Sequence, residues 1–360
     1  MPAYWPIRNF DDAARREFVI EKLLLLRSQL AKLVPRKSED TLLLCTWNIR
    51  DFDSDKFGYG LRLPESFHYI AEILNAFDLI AVQEVNRDLQ PLEKLISFIG
   101  PNYDYILTDT TEGTGGNGER LAYVYDRRKV RFRKIAGEVV LPSKRGQSAP
   151  TQFSRTPFVT AWQAGWFKFN LCSVHIYYGA DTGPKLKRRI AEIEALAKFF
   201  KERQAKEPGD YFLLGDFNIV DLAHPTMEAL TKHGFQLPQG IKGDQIKRSG
   251  SNMAQDKFYD QIVLRPSDKR LEIGQSGVLN FRESIFTDED FKIYKSHIPV
   301  DKLKNKTGAK ALAEYRKWLT WQMSDHYPLW VQLKVDFTTA YLESLKPGRQ
   351  MLAIEENKPA

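Results

Sequence analysis

The chain alternates between short apolar runs and longer amphipathic stretches. The apolar runs are about 4–8 residues long and are bounded by glycine, proline or polar residues, a pattern typical of buried strands. On this pattern we predict strands at residues 41–47, 78–82, 103–107, 121–125, 130–141, 157–166, 167–175, 211–214, 258–264 and 329–335.

Apolar residues at helical spacing predict four long helices. In the first, Asp11 or Asp12 caps the N-terminus, the apolar stripe runs from Val19 to Leu33, and Pro35 ends the helix. We expect this helix to pack on the outside of the main body. The other three stripes are Phe67, Ile70, Leu74 and Phe77; Leu92, Leu95, Ile96 and Ile99; and Leu186, Ile190, Ile193, Ala197 and Phe200.

Polar residues lie at the boundaries of several predicted strands. After the run 211–214, Gly215 allows a sharp turn, and Asp216 and Asn218 then emerge two residues apart on the same side. A carboxylate and an amide there suit a phosphate or its attacking water, although an Asx-rich turn that closes a strand has the same sequence. The complete set is Asn48, Glu84, His175, Asp216, Asn218, Asp260, Asp325 and His326.

This set favours metal-assisted phosphate chemistry. Acidic and amide oxygens suit a hard cation such as Mg²⁺ or Mn²⁺, whereas zinc would need more histidine or cysteine ligands. Such a cation polarises a phosphoryl oxygen, and a histidine–carboxylate pair activates water. Each residue alone has a simpler explanation, because Glu84 suits a helix cap and a lone histidine is often structural. The joint occurrence favours catalysis.

Composition narrows the class of protein. A chain of 360 residues can bury a large core in one β-rich domain, and its net charge of +7 favours polyanionic partners. For Cys45 and Cys172, each in an apolar run, buried free thiols are favoured over a disulfide. No stretch is apolar enough to span a membrane and no signal-peptide pattern is present, so we expect a cytoplasmic location by default. A secreted chain that is already processed would have the same composition.

Two local patterns have competing interpretations. Gly113–Gly118 matches the dinucleotide-binding fingerprint, but the following residues alternate like a strand instead of opening a helix, so we predict a flexible loop. Four cations at Lys185 and 187–189 crowd the first turns of a predicted helix, where the helix dipole disfavours them. They form either a phosphate-facing patch or a solvated helix face.

The ordered series of short motifs resembles the endonuclease/exonuclease/phosphatase superfamily, and within it the deoxyribonuclease I-like branch. The resemblance covers about residues 41–336 and implies an α+β fold, in which two β-sheets pack face to face with helices on the outer faces. The motifs are Trp47–Arg50, Val82–Val85, Ser154–Pro157, Val174–His175, Gly215–Asn218, Tyr259–Asp260 and Ser324–Pro328.

The resemblance also implies roles for individual residues. Glu84 is similar to the principal metal ligand of the family, with Asn48 and Asp325 close to the metal or the phosphate. Asp216 and Asn218 would position water and phosphate. His326 is similar to the base of the family, oriented by Asp260. His175 is similar to the second histidine, paired with Glu119. Arg155 would contact anionic oxygens of the substrate.

The chain departs from the family's deoxyribonucleases at two substrate-contacting positions. Where these enzymes have a tyrosine and an arginine that engage the minor groove, this chain has Asn117 and Asn86, although Arg87 follows. A longer stretch at about 281–320 mixes lysines and arginines with Tyr315, Trp318 and Trp321. It predicts either a surface that follows a nucleic-acid backbone or a surface helix with a tryptophan-packed base.

Together these observations predict a Mg²⁺- or Mn²⁺-dependent phosphodiesterase that hydrolyses nucleic acid, an endonuclease that binds DNA and acts as a monomer. One alternative is a phosphatase or phosphodiesterase for inositol phosphates or sphingomyelin-type lipids; another is a non-catalytic binding scaffold. We expect an N-terminal helical extension at 1–40, a catalytic domain at 41–336 and a C-terminal tail at 337–360 that is loosely ordered after Lys346.

Overall fold

The structure is a computed structural model that describes residues 2–112, 117–143, 151–238, 250–267 and 271–346. Two β-sheets pack face to face and helices cover both outer faces, which confirms the predicted sandwich. Most of the Gly113–Gly118 loop and the tail after Lys346 lie outside the described residues. Within the described ranges, no helix has the length and hydrophobicity needed to cross a bilayer.

The first sheet has six strands in the order β10-β11-β1-β2-β4-β3. β1 and β2 run parallel, so their carboxyl ends meet at one edge of the sandwich. The strands are β1 (Thr41–Asn48), β2 (Leu79–Val85), β3 (Tyr103–Leu107), β4 (Arg120–Asp126), β10 (Ile273–Val278) and β11 (Leu329–Lys334).

The second sheet has five strands in the order β5-β6-β7-β8-β9. β7 and β8 are parallel, and their register places His175 beside Asp216 and Asp216 beside Asp260 of the antiparallel β9. The strands are β5 (Val130–Glu138), β6 (Phe158–Ala164), β7 (Phe167–His175), β8 (Asp210–Asp216) and β9 (Asp260–Arg265).

Helices form the two outer layers. On the first sheet, α1 (Ala13–Leu33), α2 (Pro64–Asn75), α3 (Gln90–Ile99) and α6 (Gly308–Gln322) share one apolar core with the outward side chains of β1 and β2. On the second, α4 (Gly183–Lys206) and α5 (Pro225–Thr231) pack against β7 and β8. A third core lies between the sheets. A further helix, α7 (Thr338–Ser344), follows β11.

The first helix begins where its sequence predicts. Asp12 is the N-cap and accepts hydrogen bonds from the backbone N–H groups of Ala14 (2.9 Å) and Arg15 (3.3 Å). The predicted apolar stripe is buried except at its last residue: Val19, Leu23, Leu26 and Leu30 are buried, whereas Leu33 is exposed.

The sequence pattern missed several elements. α5 and β10 fall in stretches where no helix or strand was predicted, because α5 is only seven residues long and β10 is glycine-containing and half exposed. Segment 281–303 forms a series of short helical turns: 3₁₀ turns at Phe281–Glu283, Asp288–Asp290 and Lys295–His297, and α-helical turns at Phe291–Tyr294 and Val300–Leu303.

Candidate active site

The carboxyl ends of β1 and β2 bring together Asn48 and Glu84. Asn48 Nδ2 donates to Glu84 Oε1 (2.8 Å) and to Asp216 Oδ2 of the opposite sheet (3.1 Å). The Asn48 Oδ1 atom accepts from the backbone N–H of Arg50 (3.0 Å), which fixes the orientation of the amide. Asn48 therefore links one carboxylate from each sheet.

His175, at the end of β7, forms the first histidine–carboxylate pair. Its Nδ1 lies 2.9 Å from Glu119 Oε2, and Glu119 also accepts from Asn117 Nδ2 (2.9 Å) and pairs with Arg155 (Nε to Oε2, 2.8 Å). Burial and Arg155 oppose protonation of His175, but Glu119 and Asp216 outweigh them and raise its pKa. Burial alone would raise the pKa of Glu119, yet His175 and Arg155 lower it to about 2.

His326 forms the second pair. Its Nδ1 lies 2.7 Å from Oδ2 of Asp260, which is completely buried at the start of β9. Its backbone N–H donates to Ser324 Oγ (2.9 Å), whose hydroxyl donates to the carbonyl of Asn48 (2.6 Å). Burial opposes protonation of the ring, but Asp260 and Asp216 raise the pKa of His326 well above its usual value.

Asp216 is the point on which both histidines converge. Its Oδ2 lies 3.6 Å from His175 Nε2 and 3.7 Å from His326 Nε2, while its Oδ1 accepts from the backbone N–H of Asn218 (2.9 Å). Burial would raise the pKa of Asp216, but the two histidines lower it. The carboxylate is therefore held ionised between two imidazole nitrogens.

The backbone around Asp216 requires glycine at one position. Gly215 has φ +134°, and a Cβ there would lie 2.1 Å from the carbonyl oxygen of Val174. Only glycine lets β8 approach β7 this closely. Asn218, with φ 53°, turns back and donates from Nδ2 to the carbonyl of Ile176 (2.8 Å), and this bond ties the loop after β8 to the end of β7.

Two of the sequence-predicted site residues lie at the edge of this cluster or outside it. Asp325 is partly exposed and its Oδ2 lies 3.2 Å from Arg50 Nη1. Arg87 is well exposed and pairs with Glu112 on the surface (2.6 Å). The cationic run on α4 also divides: Arg189 is completely buried, whereas Lys185 is exposed.

The residues around Glu84 fit a hard cation. Burial raises the pKa of Glu84 despite the nearby His175 ring, and the carboxylates of Glu119 and Asp325 contribute to the shift. Asp51 donates its backbone N–H to Glu84 Oε2 (2.7 Å), while its own Oδ2 is buried without a hydrogen-bond partner among the described residues. Buried carboxylate oxygens with uncompensated charge are the ligands that Mg²⁺ and Mn²⁺ prefer.

Sequence reasoning missed two buried arginines that hold the loops of the site. Arg62 Nη2 donates to the carbonyl oxygens of Ile49 (2.5 Å) and Met323 (3.2 Å), joining the loop after β1 to the end of α6. Arg189 donates to carbonyl oxygens in the loop after β7 and to that of Asn218 (2.8 Å). The sequence does not identify a buried arginine such as Arg189, because exposed lysines and arginines stand beside it in the same run.

Gln83 was also missed, although it immediately precedes Glu84. Its buried Nε2 donates to Thr46 Oγ1 on β1 (3.1 Å) and to Ser173 Oγ on β7 (3.1 Å). This side chain thus joins the two sheets directly beneath the cluster. A polar residue inside a continuous apolar strand is the signal that identifies it.

Comparison with known proteins agrees with this geometry. A sequence profile of the endonuclease/exonuclease/phosphatase family matches residues 45–231, which include both parallel strand pairs and most of the cluster. The chain belongs to the endonuclease/exonuclease/phosphatase family. This match confirms the resemblance of the sequence motifs to the family. Members of this family are divalent-metal-dependent phosphoester hydrolases. None of the curated proteins matches the sequence.

Solved structures share the fold at low identity. A family protein from Bacteroides thetaiotaomicron is 21% identical with a TM-score of 0.53, and the match covers 82% of this chain and 95% of that one. A mannosyl-6-phosphatase from the same organism is 19% identical (TM-score 0.52; 81% and 99% covered). D. rerio TDP2, complexed with a single-strand DNA product, is 13% identical (TM-score 0.52; 82% and 99% covered). At these identities the likeness establishes the fold alone.

Proposed function

We propose that the protein is a divalent-metal-dependent phosphodiesterase that hydrolyses nucleic acid, as an endonuclease, by attack of water on the phosphorus. The observation that supports this most directly is the convergence of two carboxylate-bound histidines. Because the Nδ1 atoms of His175 and His326 are engaged, both Nε2 atoms face the same oxygen of Asp216. A general acid and a general base on either side of one phosphate need this arrangement.

The metal would be held by Glu84, with Asp325 and Asn48 beside it. When bound, a divalent cation supplies charge to polarise a phosphoryl oxygen and to stabilise the leaving oxygen. Asn48 holds Glu84 from one side and Asp216 from the other, so the metal-binding carboxylate and the water-positioning carboxylate keep a fixed relation.

The two histidines would move the protons. In its neutral form His326, oriented by Asp260, would accept a proton from the attacking water, and His175, oriented by Glu119, would donate a proton to the leaving oxygen. Asp216 and Asn218 position the water and the phosphate between them. Arg155 neutralises Glu119 and would lie next to the anionic oxygens of the substrate.

Chelation and the substitution Glu84→Gln test whether the activity depends on a bound metal ion. Incubation of the protein with plasmid DNA, RNA, inositol phosphates and sphingomyelin, with and without Mg²⁺, should show metal-dependent cleavage of polynucleotide. Excess chelator should abolish this cleavage, and Glu84→Gln should reduce it severely without unfolding the protein, because Glu84 is partly exposed at a strand end.

Four outcomes would overturn the proposal. Full turnover in excess chelator, or a fully active Glu84→Gln variant, would eliminate the metal mechanism. Hydrolysis of inositol phosphates or sphingomyelin far faster than of any polynucleotide would establish the small-substrate alternative instead. A protein that binds nucleic acid but hydrolyses none of these substrates would be a scaffold.

A further inference from the structure

An exposed aromatic ring lies beside the active site, where the loop after β1 meets the end of α6. The Phe57 ring is 49% exposed and contacts the Trp321 ring (centroids 4.7 Å apart, planes 34° apart). Tyr59 stacks on Trp321 as well, with centroids 5.4 Å apart and planes only 10° apart. Phe57, Tyr59 and Trp321 together form what we term the aromatic patch.

Cations surround this patch. The Arg50 guanidinium lies 3.9 Å from the Trp321 ring centre, and Lys56 Nζ lies 5.4 Å from the ring centre of Phe57. Lys302 and Lys317 lie over Tyr59, at 4.9 and 5.4 Å. Each of these cations is within the range of a cation–π contact.

Acidic residues balance only part of this charge. Glu314 accepts a hydrogen bond from the Tyr59 hydroxyl (3.0 Å) and pairs with Lys306 (2.6 Å). The carboxylate of Asp301 lies 3.6 Å from Lys302 Nζ. Asp55 on the same loop accepts a hydrogen bond from the backbone N–H of Gly60 (2.7 Å). The exposed Lys56 and Lys317 have no ion pair with an acidic residue in the described part of the chain, so neither ammonium group is held by a carboxylate.

The patch is connected to the catalytic cluster through one side chain. Arg50 lies on Trp321, donates to Thr320 Oγ1, and reaches Asp325 Oδ2 with Nη1 (3.2 Å). Trp321 and Arg50 therefore form a continuous series of contacts from the Phe57 ring to the carboxylate of Asp325. When one nucleotide of a bound strand lies at the catalytic cluster, the neighbouring nucleotide would lie on this surface.

We propose that the aromatic patch is a subsite for single-stranded nucleic acid, in which an unpaired base stacks on Phe57 and Arg50 and Lys56 contact the adjoining phosphates. This inference rests on the function proposed above and specifies its substrate. Exposed aromatic rings among cations bind single strands because every base has a π-face, whereas a base inside a duplex has both faces covered.

Two asparagines support a single strand over a duplex. At the positions where the family's deoxyribonucleases engage the minor groove, Asn86 Nδ2 donates to the carbonyl of Phe52 (3.0 Å) and Asn117 Nδ2 donates to Glu119 (2.9 Å). Both amides are bonded within the protein.

The test compares Phe57→Ala with Phe57→Tyr and with a distant control. Trp166, 54% exposed in the turn before β7, lies at the end of that strand opposite His175, so Trp166→Ala is the control. Binding of a fluorescent single-stranded oligonucleotide is measured by anisotropy in a Glu84→Gln background, and kcat/KM is measured on the otherwise unmodified protein. The same strand annealed to its complement and bis(p-nitrophenyl) phosphate serve as comparison substrates.

We expect Phe57→Ala to weaken single-strand binding about 5- to 100-fold, the range of one base–aromatic stack. The loss should exceed that for the duplex and for the small diester, Phe57→Tyr should retain affinity, and Trp166→Ala should have no effect. Phe57→Leu provides a second variant if Phe57→Ala lowers Tm, since leucine still covers Trp321 but has no π-face.

Single-strand binding that survives Phe57→Ala or Phe57→Leu would overturn this inference, as would an equal loss for duplex and single strand. Either result leaves the proposed nuclease function standing if the protein still cleaves polynucleotide. Failure of the unmodified protein to cleave any polynucleotide, with rapid hydrolysis of small esters, would instead refute the proposed function.

Discussion

At the scale of single residues, the charge that faces a buried histidine decides the direction in which its pKa moves. His326 and His175 are buried beside carboxylates, which raise their pKa values. His68 is buried against α3 without an acidic partner among the described residues; burial and then Lys94 lower its pKa to about 4. All three rings lose contact with water, but the pKa of the histidine rises or falls according to the charge of the neighbouring groups.

An NMR titration of the metal-free protein checks these directions. The ring resonances of His175 and His326, assigned with His→Gln variants, should titrate above 6.5, and those of His68 near 4. In the unfolded protein all three histidines should titrate near 6.5, and this value is the reference for the three shifts. Titration of His326 below 6.5 would contradict the charge arrangement described here.

These shifts also fix the sign of the pH dependence of stability. A raised histidine pKa stabilises the folded state below about 6.5, and this contribution is lost as the pH rises through the folded-state pKa. The lowered pKa of His68 acts in the opposite way, since between about 6.5 and 4 the unfolded state binds a proton that the folded state does not.

Loss of either of the two proposed catalytic histidines should reduce the rate strongly. We expect His326→Ala and His175→Ala to lower kcat about 10²–10⁴-fold, the usual contribution of a general acid or base. His224→Asn is the control, because His224 caps α5 and an asparagine can accept the same hydrogen bond. Equal activity of all three variants would exclude the proposed proton transfers.

At the scale of elements, α1 is an integral part of the first outer layer. Leu26 on α1 is fully buried, whereas the adjacent Leu25 is 54% exposed. Leu26→Ala should therefore lower the free energy of unfolding by about 2–5 kcal/mol, because it leaves a cavity in the shared core. Leu25→Ala should change it by less than about 0.5 kcal/mol. Urea unfolding of both variants measures the difference, and equal effects would show that α1 does not pack as described.

Most elements could be predicted because their apolar periodicity is strong. The stripe from Val19 to Leu30 and the continuous run of β1 bury the residues that the pattern marks. β10 could not be predicted, since half-exposed residues at a sheet edge show no clear alternation. The aromatics of α6 illustrate a different limit: Tyr315, Trp318 and Trp321 are all buried in the first core, and the sequence does not show that Trp321 also contacts the exposed ring of Phe57.

The candidate site was only partly predictable for a related reason. Motifs name the polar residues at strand ends, but they do not show which oxygen faces which nitrogen. Phe57 and Trp321 are far apart in sequence and meet because side chains such as Arg62 and Gln322 join the loop after β1 to the end of α6. No local pattern contains that information.

At the scale of the whole molecule, the net charge of +7 should make nucleic-acid binding depend on salt. Each phosphate contact to a single strand should contribute about −0.7 to the log–log slope of affinity against salt concentration. Lys302→Glu and Lys304→Glu should reduce this slope, whereas Lys198→Glu, exposed on α4, should not. A salt series of anisotropy titrations measures the slopes; identical slopes for all variants would exclude the 300–306 segment from the interface.

The position of β11 has a consequence for the synthesis of the protein. β11 is the last strand in the sequence, but it lies between β10 and β1. β10 therefore cannot join the rest of the first sheet until residue 334 has left the ribosome. His326, just before this strand, emerges equally late. A nascent chain therefore carries Glu84 and His175 through most of its translation without a complete catalytic centre. We expect ribosome-bound chains to be inactive until β11 has paired with β1 and β10.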